Sequence, residues 1–260
     1  MLRSLWAAAT GMNCQQLNLD VISNNLANVN TTGFKKSRAD FEDLLYQTIR
    51  MPGTENADGT QVPTGMQIGM GSRPAAVQKI FTQGDFENTG NDLDWAIEGR
   101  GFFKVISNGQ EYYTRDGAFK LDKDGYIVTS NGARLQPEFS VPVGTAKVTI
   151  DQYGMLVATD KQGNPLASVQ LTIYDFPNPA GLYSVGRNLY LPTQASGDPV
   201  EGSPGTDNFG TIAQGFLEQS NVDVVRQMVD MIVTQRAYEL NSKTVQTADQ
   251  MMGLANNLKR

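Results

Sequence analysis

Residues that could carry out chemistry are sparse in this 260-residue chain. Histidine, the commonest general base and metal ligand, does not occur in the sequence. Nucleophilic triads built on a histidine base are therefore impossible, and zinc or copper centres are disfavoured. The one cysteine, Cys14, cannot form an internal disulfide, and we expect it to pack as a small residue on a helix.

Two acidic groupings resemble sites but do not complete the patterns that such sites need. Asp92, Asp94 and Glu98 lie close together, yet no second acidic cluster accompanies them, and we expect them on an exposed strand face. The tetrapeptide DKDG, residues 122–125, lacks the spacing and the final glutamate of a calcium loop, so a hairpin turn is predicted. The sequence therefore predicts a protein that is not an enzyme and uses no cofactor or metal.

The charge and hydropathy of the chain exclude further classes. The formal net charge is -6 and no long basic patch is present, so nucleic acid is not expected as a partner. Lys35, Lys36 and Arg38 are predicted to lie on a solvated face or to contact acidic residues of a neighbouring copy. The sequence contains no apolar run of about 18 residues, so no membrane span is predicted. The apolar stretch Leu5–Ala9 is too short for a signal peptide. The chain is expected to stay inside the cell or to leave by a route without a cleavable signal.

Both ends of the chain are predicted to be long helices with coiled-coil seams, because apolar residues recur there at heptad spacing. Asn28 and Gly33 are expected to end the first helix. Ser220 and Asp223 are expected to form a capping box for the second, which should end on Lys259 and Arg260. A long helix needs a covered face, so the two helices should pair with each other, with other copies, or both. Two ordinary helices covering a sheet are the alternative.

The middle of the chain is predicted to be β structure. Four Asn-Gly or Asp-Gly dipeptides, which favour hairpin turns with two positive φ angles, separate short strand-like runs. They occur at residues 108–109, 116–117, 124–125 and 131–132. This spacing predicts an antiparallel meander or a small barrel. Strand character continues to about residue 191, and residues 192–209 are predicted to form a loop.

Residues 50–74 are rich in glycine and proline and have no helical period. A free linker is one interpretation, but the segment is longer than the roughly 12–15 residues usual for a structureless loop, which favours a specific task. The fold class is therefore α+β, with terminal helices forming a coiled-coil-like inner domain and a central, mostly antiparallel β domain. The predicted boundaries are 1–30 for the first helix, 31–74 for the connection, 75–209 for the β domain and 210–260 for the return segment and last helix.

Three long motifs resemble those of one protein family. The segments NNLANVNTTGFKKSRADFEDLLYQTI, YYTRDGAFKLDKDGYIVTSNGARLQP and GFLEQSNVDVVRQMVDMIVTQRAYELNSKTVQTADQMM are similar to the N-terminal, central and C-terminal segments of bacterial flagellar rod and hook proteins. The family-motif positions within them are Asn24, Asn25, Leu26, Ala27, Asn28, Thr32, Gly33, Phe34, Arg236, Ala237 and Tyr238. The resemblance covers nearly the whole chain. Within the family, the length and the stretch after Tyr46 resemble the distal rod proteins, with hook or proximal rod proteins as the alternative.

The resemblance implies a structural subunit of a straight helical tube that crosses the periplasm, carries torque to the hook and encloses an export channel. Implied partners are further copies of the chain, proximal rod proteins, hook protein, peptidoglycan and outer-membrane ring proteins, and the flagellar type III export apparatus. The heptad positions become candidate subunit-packing residues. They are Leu5, Met12, Leu19, Ile22 and Leu26 on the first helix, and Val224, Met228, Met231, Tyr238 and Val245 on the second.

Overall fold

The computed structural model describes residues 2–52, 64–206 and 208–257. Within these ranges the chain forms two α-helices, one short 3-10 helix (Pro179–Gly181) and 20 strands, which confirms the predicted α+β class. The helices are α1 (Leu2–Ala27) and α2 (Val224–Asn257). The strands are β1 (Ser37–Asp43), β2 (Tyr46–Arg50), β3 (Met66–Gly69), β4 (Ser72–Lys79), β5 (Phe86–Asn88), β6 (Trp95–Glu98), β7 (Phe103–Ser107), β8 (Gln110–Thr114), β9 (Phe119–Leu121), β10 (Ile127–Thr129), β11 (Arg134–Gln136), β12 (Thr145–Ile150), β13 (Met155–Asp160), β14 (Pro165–Gln170), β15 (Ile173–Asp175), β16 (Tyr183–Gly186), β17 (Leu189–Leu191), β18 (Val200–Gly202), β19 (Thr211–Gln214) and β20 (Phe216–Glu218).

The chain divides into two compact units. The helical unit comprises the described residues of Met1–Leu26, Ser37–Gln78 and Val224–Arg260, and the β unit comprises those of Ala27–Lys36 and Lys79–Asp223. In the helical unit, α1 and α2 lie beside each other, β1 pairs with β4, and β2 pairs with β3 as an antiparallel ribbon. The strands β2 and β3 extend into the glycine- and proline-rich stretch 50–74 from both sides, and residues 53–63 of that stretch lie outside the described residues.

The start of α2 differs from the prediction. The helix begins at Val224, which places Asp223 at the position before the first helical residue, where Ser220 was expected. The Ser220 hydroxyl is buried and has no hydrogen-bond partner among the described residues, so the predicted capping box is wrong. Residues 219–223 lie between β20 and α2 and are not helical, so Ser220 does not directly precede the first turn of the helix. The predicted end on Lys259 and Arg260 lies outside the described residues.

The β unit is built on a seven-stranded sheet with strand order β16-β17-β8-β7-β11-β10-β9. Asn108 and Gly109 join β7 to β8 with φ angles of 54° and 78°, which confirms the predicted two-residue hairpin turn. Gly125 and Gly132 join β9 to β10 and β10 to β11, but in these turns only the glycine has a positive φ. The meander prediction is therefore confirmed over β9, β10 and β11.

The dipeptide Asp116-Gly117 does not form the hairpin turn that the sequence predicted, because β8 and β9 are not neighbours in the sheet. Gly117 instead allows a close backbone approach to Trp95. A Cβ atom added at Gly117 would overlap the Trp95 carbonyl group, and the Trp95 N–H donates to the Gly117 carbonyl at 3.1 Å. Glycine is required here by tertiary packing.

A second, three-stranded sheet of order β12-β13-β14 supplies the rest of the main core. Side chains from both sheets and from β6 pack together there, among them Trp95, Phe103, Phe119 and Leu156, each no more than 1% exposed. The predicted loop 192–209 is wrong in one part, because β18 (Val200–Gly202) pairs with β15. Three residues of strand surrounded by glycine, proline and serine give too short a pattern to be recognised without its partner.

One of the three predicted basic residues after α1, Lys35, differs from the prediction, whereas Arg38 is exposed as expected. Lys35 is fully buried, and its Nζ lies 2.5 Å from Oε1 of Glu218, whose side chain is also fully buried. Lys35 Nζ donates to the Thr82 carbonyl at 2.8 Å, and the Gly84 N–H donates to the same Glu218 oxygen at 3.0 Å. Arg115, buried nearby, has its Nη1 at 3.7 Å from Glu218 Oε2. Lys35 therefore lies in an internal ion cluster, whereas it was expected on a solvated face or at a contact with a neighbouring copy.

Desolvation acts on both cations of this cluster. Burial lowers the pKa of Lys35 and of Arg115, and the Glu218 carboxylate acts in the opposite direction on both groups. The cluster is stable as an assembly of charges only while the carboxylate is present, because a buried charge without a partner is costly.

We predict that Glu218→Ala lowers the free energy of unfolding of the full chain by about 3–5 kcal/mol, because Lys35 and Arg115 would be left buried without a counter-charge. The measurement is urea denaturation followed by tryptophan fluorescence. The matched control is Glu239→Ala, which removes the exposed ion pair with Arg236 and should change stability by less than about 1 kcal/mol. Equal effects of the two changes would contradict the importance of the cluster.

Candidate functional site

The residues that could have carried chemistry have structural roles in the described parts of the chain. Cys14 is buried on α1 and accepts a hydrogen bond from the Ser72 hydroxyl at 3.4 Å, as the prediction of a packed cysteine requires. Asp94 is buried, contrary to the expected exposed face, and accepts hydrogen bonds from Thr89 and Asn91 that close a turn. Among the described residues no group of three acidic, cysteine or histidine side chains could hold a metal ion.

The described helices include none that is long and apolar enough to cross a membrane. The two long helices and the ribbon of the helical unit carry large apolar side chains that remain exposed.

The facing sides of α1 and α2 are held together by three polar or small contacts. Asn25 Nδ2 donates to Gln227 Oε1 at 3.1 Å, with both side chains buried. Asn18 Nδ2 donates to Thr234 Oγ1 at 3.0 Å. Seven residues further towards the N-terminus, Gly11 lies against Asn241: a Cβ atom added to the glycine would be 3.0 Å from Asn241 Nδ2.

These contacts define an antiparallel register between the two helices. On α1 the positions descend by sevens, through 25, 18 and 11, while on α2 they ascend by sevens, through 227, 234 and 241. We call the three contacts the polar layers. The same register places Val21 opposite Met231 and Cys14 opposite Tyr238, so that apolar positions alternate with the polar layers.

Asn25 also fastens α1 to the chain that follows it. Its Nδ2 donates to the Ser37 carbonyl at 2.8 Å, and its Oδ1 accepts the Ser37 N–H at the same distance. One buried amide therefore joins the end of α1, the first residue of β1 and, through Gln227, the start of α2. This gives a physical role to the second asparagine of the family motif.

The opposite side of α2 is apolar and exposed. Residues two positions away from a seam position lie about 200° around the helix, on the far face. This face carries an outer apolar stripe composed of Val225, Val229, Ile232, Val233 and Leu240, each more than half exposed. An isolated long helix with an uncovered apolar stripe leaves burial energy unused, about 1.5–3 kcal/mol for each large side chain that a partner could cover.

The ten sequence-predicted subunit-packing residues lie at different depths in the single chain. On α1, Ile22 is buried, and Leu5, Met12, Leu19 and Leu26 are half-buried. On α2, Val224, Met228 and Tyr238 are exposed, and Met231 and Val245 are half-buried. Most of these side chains thus keep accessible surface, and their packing against other subunits stays a prediction.

The family-motif residues after α1 belong to the β unit. Thr32 Oγ1 donates to Asp116 Oδ1 at 2.9 Å, and the Gly33 N–H donates to the Glu218 carbonyl at 2.8 Å. Gly33 has a φ of 66°, and a Cβ atom there would be 2.7 Å from the Asp116 nitrogen, so only glycine fits. Phe34 is buried, with Lys79 Nζ 4.9 Å from its ring centroid.

The remaining family-motif residues are accessible to different degrees. Asn24 and Ala27 are exposed near the end of α1, and Asn28 is half-buried after it. On α2, Arg236 and Tyr238 are exposed and Ala237 is half-buried. The Arg236 guanidinium lies 3.2 Å from Glu239 Oε2, one helical turn along the same surface.

The ribbon of β2 and β3 is the second exposed apolar surface of the helical unit. Every residue of β2 is exposed, and the Tyr46 ring lies over Gly69, where an added Cβ atom would be 3.3 Å from the ring. Large apolar side chains of the ribbon and its flanks remain exposed, namely Leu45, Tyr46, Ile49, Met51, Met66 and Ile68. A two-stranded ribbon is marginal by itself in water, so this surface resembles one that is completed by a partner.

Sequence reasoning missed three of these features. The polar layers were visible as small or polar residues every seven positions, but an apolar period was sought. The outer apolar stripe was visible as a second helical period, one face away from the predicted seam. The buried ion cluster had no local signal, because Lys35, Arg115 and Glu218 are far apart in sequence.

Three family models match successive parts of the chain. Residues 5–35 match the model described as flagella basal body rod protein. Residues 96–158 match the flagellar hook protein FlgE/F/G D1 domain, and residues 213–258 match the C-terminal region of the flagellar basal body rod FlgEFG proteins. The last match includes α2 with both its polar-layer positions and its outer apolar stripe.

Relatives of the same description are similar over their whole length. The flagellar basal-body rod protein FlgG of Borreliella burgdorferi is 48% identical over 100% of both chains. FlgG of Buchnera aphidicola subsp. Schizaphis graminum is 47% identical over 97% of this chain and 98% of its own. The flagellar hook-basal body complex protein FlhP of Bacillus subtilis is 34% identical over 100% of both chains. The chain therefore belongs to the FlgG family of flagellar basal-body rod proteins.

Proposed function

We propose that this chain is a structural subunit of the distal part of the flagellar rod. Copies of it polymerise into a straight tube that transmits motor torque across the periplasm to the hook and encloses the export channel. In this proposal the protein has no enzymatic activity. The observation that carries the proposal is the outer apolar stripe of α2, which a single chain leaves uncovered along a helix of 34 residues.

A tube of identical subunits requires heterologous contacts, in which one surface of a copy meets a different surface of the next. The helical unit offers such surfaces, because the outer apolar stripe and the half-buried positions of α1 have different shapes and compositions. The packing residues of the proposal are the ten heptad positions together with the outer apolar stripe. In this proposal α1 and α2 belong to the inner domain of the tube and the β unit, which includes residues 210–223, forms the outer domain.

The ribbon of β2 and β3 supports a specific role for the connecting segment. Its exposed apolar side chains can be covered by adjacent copies, and a β ribbon wedged between subunits restricts their sliding. Straightness and stiffness of the tube are therefore assigned to this segment. The flanking partners of the proposal are the proximal rod proteins, the hook protein, and the peptidoglycan and outer-membrane ring proteins, with export of the subunit by the flagellar type III apparatus.

A second candidate function is a hook or proximal rod subunit of the same axial structure. The 34% identity to FlhP, described as a hook-basal body complex protein, favours keeping this candidate. The two candidates differ in where the axial structure stops when the subunit is missing.

We predict that cells lacking the gene assemble a short rod that ends inside the periplasm and carries no hook. The reason is that, in the proposed assembly, later subunits are added onto the part of the rod that this chain forms. Cryo-tomography of basal bodies in such cells measures the length of the rod. A complete rod without a hook would instead assign the chain to the hook. Normal flagella would contradict any essential axial role.

We predict that Val229→Asp or Ile232→Asp prevents incorporation into rods, because burying a charge at a subunit contact without a partner costs several kcal/mol. Both side chains are exposed in the single chain, so the isolated subunit should keep its stability within about 0.5 kcal/mol. Swimming in soft agar and the presence of the protein in purified basal bodies are the two measurements. The control is Gln235→Asp, an exposed residue of the same helix away from the stripe, which should swim normally.

We predict that replacing Ile49 and Ile68 together by lysine leaves a folded subunit and a rod of normal length that bends more easily. The charges would keep neighbouring subunits from covering the ribbon. Electron microscopy of isolated basal bodies measures rod curvature. The matched control replaces Thr48 and Gln67 by lysine; these exposed residues pair with each other on the other face of the ribbon. Rods equally straight in both variants would show that the ribbon is a passive connection.

A further inference from the structure

We propose that the three polar layers between α1 and α2 select which face of α2 meets α1 and fix the register of the pair. They thereby leave the outer apolar stripe facing away from α1. The value of this arrangement for assembly rests on the proposed function, because an outward stripe needs neighbouring copies. The selection itself is a property of one chain and can be measured in it.

Neither face of α2 is clearly the more apolar. The inward face alternates polar Gln227 and Thr234 with apolar Met231, and the outward face carries Ile232 beside Arg236. Burial of apolar area alone would therefore not decide which face packs on α1. A directional interaction must therefore decide the face, and the hydrogen bonds of Asn18 to Thr234 and of Asn25 to Gln227 are directional interactions between the two helices.

The facing side chains also differ in size from one polar layer to the next. This difference distinguishes registers that are one heptad apart. Gly11 leaves room for the Asn241 side chain, and the small Thr234 leaves room for Asn18. A shift by seven residues in one direction would bring Asn18 against Asn241 and crowd two amides where one fits. A shift by three or four residues would bring polar side chains against apolar ones and leave buried polar groups unpaired.

Two of the three polar layers are tied to backbone groups, which makes their side chains rigid partners. The Thr234 hydroxyl donates to the Asp230 carbonyl at 2.7 Å and accepts from Asn18, so its orientation is determined before α1 arrives. Asn25 is held by both hydrogen bonds to Ser37. Side chains held in this way present fixed donors and acceptors to the opposite helix, which is the condition for selecting one register.

The test is disulfide trapping in the full chain after Cys14→Ala removes the native thiol. Val21→Cys is combined with one second cysteine at a time. Met231→Cys reports the native seam, Tyr238→Cys reports a shift by one heptad, and Val229→Cys reports the outer face. The apolar-layer variant then carries leucine at the four positions of the two hydrogen-bonded polar layers, Asn18, Asn25, Gln227 and Thr234. The matched control carries leucine at four exposed positions of the same helices, namely Asn13, Gln16, Gln235 and Gln246.

With the native layers, the seam disulfide should exceed each of the other two by at least about tenfold, and the apolar-layer variant should reduce this preference to about threefold or less. The matched control should retain the native preference. An exchange variant, Asn18→Thr with Thr234→Asn, keeps one amide and one hydroxyl in the layer and should also retain it, which separates register selection from a general loss of folding.

The proposal would be overturned if the apolar-layer variant kept the native preference for the seam disulfide. It would also be overturned if the chain with native layers showed this preference neither as an isolated chain nor in purified basal bodies. The same reporters are read in both settings. A chain that shows the native preference but never enters a rod would contradict the proposed function while leaving the polar-layer selection in place.

Discussion

The Glu218 carboxylate compensates two buried cations, and the segments that frame the β unit depend on it. Lys35 comes from the segment that follows α1, and Glu218 ends the last strand before α2. The Gly33 N–H donates to the backbone carbonyl of the same Glu218. These contacts hold the first and last segments of the β unit next to each other. Because a charge left buried without its partner is costly, we expect the contacts of the cluster to form and break together. The β unit is built from two separate stretches of the chain, residues 27–36 and 79–223. These contacts join the first stretch to the end of the second.

The helical unit follows a different physical logic. Its helices meet through amide and hydroxyl hydrogen bonds of modest net energy, and they leave aliphatic side chains of α2 exposed. A pair of this kind is weakly driven, because it leaves apolar area of α2 that the pair itself does not bury. In the proposed tube, neighbouring copies cover that area and supply stabilisation, while the hydrogen bonds within the pair fix the surface that each subunit presents.

The ribbon of β2 and β3 has the same incomplete character. Its strands pair with each other and expose aliphatic and aromatic side chains on the described residues at either side of residues 53–63. Isolated two-stranded ribbons are marginal in water. The helical unit therefore carries two apolar surfaces that one copy leaves uncovered, whereas the β unit buries its aromatic and aliphatic side chains in two hydrophobic clusters. The proposed assembly role follows from this contrast.

The sequence by itself determined the features that depend on neighbours in the chain. Heptad periodicity predicted both helices, Asn108-Gly109 predicted its hairpin turn, and three long motifs identified the family, because propensities and turn chemistry act over a few residues. The tertiary structure alone decided the burial of Lys35, the closed contact of Gly117 with Trp95, and the face that α2 turns inward. Each of these depends on a partner far away in sequence, such as Glu218 for Lys35, and a local pattern cannot show whether a charge meets a counter-charge or water. For α2, periodicity marked the apolar positions, but only the structure shows that the face with Gln227 and Thr234 packs against α1.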